Sequence, residues 1–318
     1  MPLRNSWEFY ENACFHRVGC SRNFLREENI LHIKYGMSYL VHLKLTSNCF
    51  HYFILTFLVF IITGVQKIIV PGASLKSSKE ALRLARIYPG TVYCTAGLHP
   101  HDAKSWDSES YADLKDIASN AECVAIGECG LDYNKDFSPI ETQREVFEKQ
   151  IELAKELKKP LFIHEKGAHQ DLISILNKYQ GDLPPVIIHS FTGSYEEALQ
   201  YIKMDMYIGF TGLICKDSSS TGVQAILENK AISLDRVLAE TDAPFMYPNA
   251  RASKLPDRVK KTLTERSLMF LQRYCTFQRN EPCSLPAIVE IIAGFLDKPP
   301  EEVALATAFN ALKIFGLS

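Results

Sequence analysis

The chain has 318 residues, of which 47% are apolar, so it is long enough for one large α/β domain with a sizeable core. Its formal net charge of −2 excludes a globally basic nucleic-acid binder, and any polyanion it takes must be held by local patches. Nine cysteines, an odd number with no C-x-x-C pair, exclude a zinc ribbon and a disulfide framework. They point to reduced thiols in a reducing compartment, the cytoplasm or the nucleus.

In chain order, residues 1–62 are irregular, rich in aromatics and histidine, and lack turn chemistry between elements. The run FHYFILTFLVFII (50–62) is too short for the roughly 20 residues of a membrane-spanning helix and begins too late for an ordinary signal peptide. It reads first as a buried element, so a membrane partner is not expected. From residue 63 onward a strict alternation begins, and the expected boundary separates an atypical segment 1–62 from a barrel over 63–318.

Gln66–Val70 is a short apolar run ended by Pro71 and Gly72, and Ser77–Tyr88 follows with apolar positions at helical spacing. Six further apolar runs come next: Val92–Gly97, Cys123–Gly127, Pro160–Ile163, Val186–Ile188, Met206–Phe210 and Arg236–Ala239. Helical patterns such as Pro139–Lys158 and Tyr195–Lys203 separate several of them. Short strands without polar alternation, joined by helices, are the pattern of parallel strands buried on both faces. The expected fold is a TIM-like (β/α) barrel with an irregular first strand–helix unit, not an open nucleotide-binding sheet, because no G-x-G-x-x-G opens a helix.

The ionisable residues occur where the apolar runs end. Cys123–Gly127 leads into Glu128, Pro160–Ile163 into His164, Val186–Ile188 into His189, and Arg236–Ala239 into Glu240 and Asp242. In a parallel barrel these carboxyl ends converge on one face. Two imidazoles with carboxylates suit Mg, Mn or Zn, and the absence of a convergent cysteine argues against a structural zinc site. A lone histidine at a strand end is usually structural, but four ligand-type residues at the ends of four runs are not independent accidents. Glu128, His164, His189 and Asp242 are the expected metal ligands, with Glu128 able to bridge two cations that together activate water and steady a leaving oxyanion.

Val92–Gly97 ends in Leu98-His99-Pro100-His101, which puts His99 at the same rim as a phosphate contact or proton-transfer group, with His101 beside it. Pro100 fixes the turn and can send the two rings different ways. Glu240 lies two residues before Asp242 and shares its strand face, as a general base or a residue orienting a ligand. His169 reads as a supporting residue, and Asp132 as a turn or helix-cap residue. After the last strand, the stretch Arg251–Arg279 is rich in Lys and Arg, and Lys260, Lys261 and Arg279 are candidate contacts to substrate phosphates.

The strings TAGLHPHDA (95–103), AIGECGLDYN (125–134), PLFIHEKGAH (160–169), IIHSFTGS (187–194), ETDAPFMYP (240–248) and RNEPCSLP (279–286), in this order, resemble the TatD family of metal-dependent nucleases. The resemblance implies a TIM-barrel-like enzyme hydrolysing DNA phosphodiester bonds, often a 3′–5′ exonuclease favouring single strands; whether RNA is also a partner is left open by the sequence. It implies two divalent metals on Glu128, His164, His189 and Asp242, with His99 and Glu240 in support. Residues 1–62 contain no His-x-His, so the chain resembles the subgroup with an asparagine in the first strand; MSYLVHLKLTSN (37–48) is the nearest match. Two alternatives stand beside this reading. One is an amidohydrolase-type barrel with another substrate, disfavoured because no lysine is expected at a strand end to be carbamylated. The other is a catalytically weakened, membrane-tethered binding protein. Oligomeric state is not legible.

Overall fold

In the computed structural model, residues 63–317 are described, Ser218 excepted. The expected first-strand match at 37–48 and the apolar run 50–62 lie outside the described residues.

Seven strands form one sheet: β1 (Ile68–Val70), β2 (Val92–Ala96), β3 (Cys123–Asp132), β4 (Leu161–Lys166), β5 (Val186–His189), β6 (Tyr207–Phe210) and β7 (Val237–Ala239). Neighbours in sequence are neighbours in space, and every pair is parallel. Parallel neighbours need a crossover, and helices supply it. They include α1 (Leu75–Ile87), α2 (Ser110–Ala118), α3 (Ile140–Leu157), α4 (His169–Asn177), α5 (Tyr195–Lys203) and α6 (Val223–Glu228). Their starts are written locally. Ser74 and Ser77 form a capping box before α1, and Ser194 and Glu197 form another before α5.

Alternation along the strands sorts side chains onto two faces. Ile68, Val70, Ile126, Ile163, Ile188 and Ile208 belong to a core shared with the helices. Ile69, Ala125, Phe162, Ile187, Tyr207 and Leu238, from six different strands, meet one another in a second core. Residues of β1 and β7 share a single cluster only if the sheet curls around it, as in a barrel. Among the described residues β1 pairs only with β2 and β7 only with β6, so the curl is a half-barrel.

After β7 come a long loop, α7 (Asp257–Lys260), α8 (Glu265–Tyr274), α9 (Leu285–Leu296) and α10 (Pro300–Phe315). The last helix closes the inner core with Ala311, Ile314 and Phe315. Asn310 fastens it, donating to the carbonyls of Leu234 and Val237 where β7 begins. That leaves the opposite end of the strands for chemistry. No helix among the described residues is long and apolar enough to cross a membrane.

Candidate metal centre

Register brings the candidate ligands level. His164 pairs across the sheet with His189 on one side and with Gly130 on the other. Gly130, at φ +128°, sits where any Cβ would lie 2.1 Å from the His164 carbonyl oxygen. Only glycine lets β3 run that close. β3 therefore continues past Glu128 to Asp132, five residues further than its apolar run implies.

His99 opens the 3-10 turn Pro100–Ser105, and its Nδ1 accepts the His101 backbone N–H at 3.1 Å. The turn folds the two imidazoles together instead of splaying them: their ring centroids are 4.3 Å apart, and His99 lies 4.4 Å from His164. One ligating nitrogen from each of His99, His101 and His164 falls within 4.8 Å of the others.

Carboxylates interleave with these rings. Glu128 Oε1 stands 3.2 Å from His164 Nδ1, 3.3 Å from His99 Nε2 and 3.9 Å from His189 Nε2. Asp132 Oδ2 is 2.6 Å from His101 Nε2 and 3.2 Å from His164 Nε2. Burial opposes the charged form of Asp132, but hydrogen bonds and charge from His164 and His101 outweigh it and hold the carboxyl well below the ordinary range. Glu240 Oε2 lies 2.6 Å from His189 Nδ1 and accepts the Ser190 N–H at 3.0 Å. Burial alone would lower the His189 pKa, yet the Glu240 charge and hydrogen bond push it up to about 9. Gly209 on β6 makes room for this pair, since a Cβ there would sit 2.1 Å from Glu240 Oε1. Asp242 Oδ1 lies 3.9 Å from His189 Nε2, and its backbone is held in the left-handed region at φ +51°. Left-handed backbone at a non-glycine residue is costly and concentrates at functional sites.

Glu128, Asp132, Glu240 and Asp242 are all buried. Clustered buried carboxylates repel one another unless cations offset them. The residues fit a divalent metal: the donors are imidazole nitrogens and carboxylate oxygens, they converge from several strand ends, and no thiol joins them. Glu240 holds His189 Nδ1 and leaves Nε2 facing Glu128 and Asp242, an arrangement that would fix the tautomer of a ligating histidine.

Of the residues expected from sequence, Glu128, His164, His189, Asp242, His99, His101 and Glu240 stand in this one cluster. His169 does not; it is buried against Tyr201, with Nε2 2.9 Å from Gln200 Oε1. Lys260 pairs with Asp257 on its own helix at 3.3 Å, Lys261 ends α7, and Arg279 reaches Glu281 at 3.3 Å. These contacts do not involve the histidine–carboxylate cluster.

Two residues gain weight beyond the sequence reading. Asp132 is an acceptor for two histidines, not only a turn residue. Its signal was its spacing of four from Glu128, which puts both carboxylates on one face if β3 is long. Lys166 is the last residue of β4, so a lysine does end a strand. Its Nζ donates to the Ser190 carbonyl at 2.7 Å and to Thr192 Oγ1 at 2.8 Å, tying the β4 and β5 ends together. A carbamate nitrogen, with a single N–H, could not donate both bonds.

Residues 60–316 match the family model described as TatD related DNase. A curated relative from Cronobacter sakazakii, named "3'-5' ssDNA/RNA exonuclease TatD", is 36% identical over 252 residues, covering 79% of this chain and 87% of the relative. The protein of the same name from Erwinia tasmaniensis is 37% identical, over 80% of this chain and 90% of its own length. Among solved structures, a TatD homologue from Escherichia coli K12 superposes with TM-score 0.73 at 24% identity, over 88% of this chain and 98% of that one. A TatD family hydrolase from Entamoeba histolytica gives 0.75 at 22%, over 89% and 99%. At these identities the structural likeness speaks for the fold.

Proposed function

The chain belongs to the family of TatD-related DNases, hydrolases of phosphodiester bonds, and on that premise we propose that it is a divalent-metal-dependent 3′–5′ exonuclease acting on single-stranded DNA, with RNA as a second substrate. The observation that carries this reading is Glu128 Oε1 standing within 3.9 Å of three histidines from three strand ends, with a further carboxylate beside His189. The polarity and the single-strand preference are supported by the names of the relatives.

Glu128, His164, His189 and Asp242 would hold the metal, with Glu128 central to the cluster. When bound, the metal supplies Lewis-acid charge that steadies the phosphate and eases deprotonation of the attacking water. The protein's own residues do the remaining work. Glu240 keeps His189 in one tautomer and orientation. His101 is the more exposed of the two neighbouring histidines and His99 is buried beside Glu128; either imidazole could donate to a non-bridging phosphate oxygen or move a proton. Asp132 orients both His101 and His164. Lys260, Lys261 and Arg279 would meet more distant phosphates. A reducing compartment, the cytoplasm or the nucleus, fits the six described cysteines, all free and buried.

The test is direct. Glu128→Ala should abolish cleavage of a single-stranded oligonucleotide while leaving the unfolding transition cooperative, and near-wild-type turnover in that variant overturns the reading. A chelator should silence the wild type, and excess Mg, Mn or Zn should restore it.

A further inference from the structure

Phe137 lies in the loop between β3 and α3, with 54% of its surface exposed. A lone exposed aromatic needs no explanation. This one differs in what it touches and in how firmly it is held. Its ring meets the His101 ring at 4.7 Å between centroids, edge to face. His101 in turn is within 2.6 Å of Asp132 and meets the His99 ring edge-on at 4.3 Å. The exposed ring is therefore one residue removed from the metal cluster.

The loop that presents it is clamped. The next residue, Ser138, is 2% exposed, and its hydroxyl donates to the His101 carbonyl at 2.9 Å and accepts the Lys104 N–H at 3.1 Å. The Ser138 carbonyl accepts Gln143 Nε2 at 2.9 Å, and the same side-chain amide also donates to the Asp132 carbonyl, at 3.2 Å. Pro139 and α3 follow immediately. The ring is thus carried on backbone bound to the same turn that carries His99 and His101, and ordering it for a ligand costs little.

We propose that Phe137 is a stacking platform for an unpaired nucleobase next to the scissile phosphate, and that it contributes to the preference for single strands. The inference rests on the single-strand nuclease reading above. An aromatic face accepts any base, so it discriminates by pairing state and not by sequence: a base within a duplex is already stacked and paired, whereas a base at a single-stranded end is free to turn onto the ring. Placed beside His101, the ring would fix the nucleotide whose phosphate enters the cluster.

The experiment uses the full chain with added Mg or Mn and three single-stranded oligonucleotides. One is normal; the others carry an abasic sugar on the 5′ or the 3′ side of the terminal phosphodiester. The wild type should cleave the normal strand with a kcat/KM about tenfold above that of one abasic strand, the size of one base–aromatic stack. Phe137→Ala should reduce kcat/KM on the normal strand, mostly through KM, and bring that ratio close to one. Phe137→Trp should restore it. A ratio that stays near tenfold in Phe137→Ala, or a wild-type ratio near one for both abasic strands, overturns the inference while leaving the nuclease reading intact. A wild type that cuts none of the three strands overturns both.

Discussion

Glu240 is a residue that, by holding one histidine, could govern metal binding at the candidate centre. It is fully buried, and one oxygen takes both His189 Nδ1 and the Ser190 N–H. Glu240→Gln keeps the volume but removes the charge that orients the imidazole. The apparent metal affinity, read by competition with a chelator, should fall about 10- to 100-fold, as for other residues that orient a metal ligand. An unchanged affinity would mean that His189 is held by packing alone. Glu240 and Asp242 were legible in sequence because both lie just past an apolar run. Asp132 was only half legible, because Gly130 hides the continuation of β3: glycine reads as punctuation, and here it permits close approach to β4. The partnership of His99 and His101 was not legible, since a proline turn can send two rings either way and only the surrounding carboxylates decide.

Among the elements, the strands were read nearly as they stand, because a buried parallel strand leaves a short uninterrupted apolar run and little else does. What the run does not encode is its polar extension, so β3 and β4 end five and three residues beyond their expected limits, at Asp132 and Lys166. The basic stretch after β7 was legible as charge but not as structure. It folds into α7 and α8, and α8 is tied down by a buried acid on α9. Glu290 accepts the Thr264 N–H at 2.9 Å and the Thr264 and Ser267 hydroxyls at 2.8 Å each. Glu290→Ala would leave three donors without their acceptor and should cost about 1–3 kcal/mol, measured by urea unfolding. Burial is the largest influence on this carboxyl and raises its pKa above 4.5 despite the hydrogen bonds from Thr264 and Ser267. The folded state therefore keeps the proton to higher pH than the unfolded state, so stability from this group is greatest in acid and declines as pH rises from about 4.5 through the folded value. Glu290→Gln should remove that decline, and an unaltered slope between wild type and variant would assign it elsewhere.

At the scale of the whole molecule, a net charge of −2 gives a nuclease no long-range field to gather its polyanionic substrate. The cluster itself carries four buried carboxylates among its histidines, and a phosphate would approach it more favourably once a divalent cation offsets them. Binding then has two separable parts. The metal makes the centre attractive, and basic side chains around it must hold the rest of the strand. Arg258 is already spent on structure, donating to the Gly294 carbonyl and to Glu228, and Lys260 leans on Asp257. Lys261 ends α7 beside them. If Lys260 and Lys261 neutralise substrate phosphates, reversing both charges should flatten the plot of log affinity against log salt by about 0.7 for each lost contact with a single strand. The measurement is made on Glu128→Ala, so that the strand is bound but not cut. A slope identical to that of the parent would place the electrostatic contacts elsewhere and leave Arg279, beside Glu281 on the loop that Asn280 fastens to the Thr241 carbonyl, as the nearer candidate.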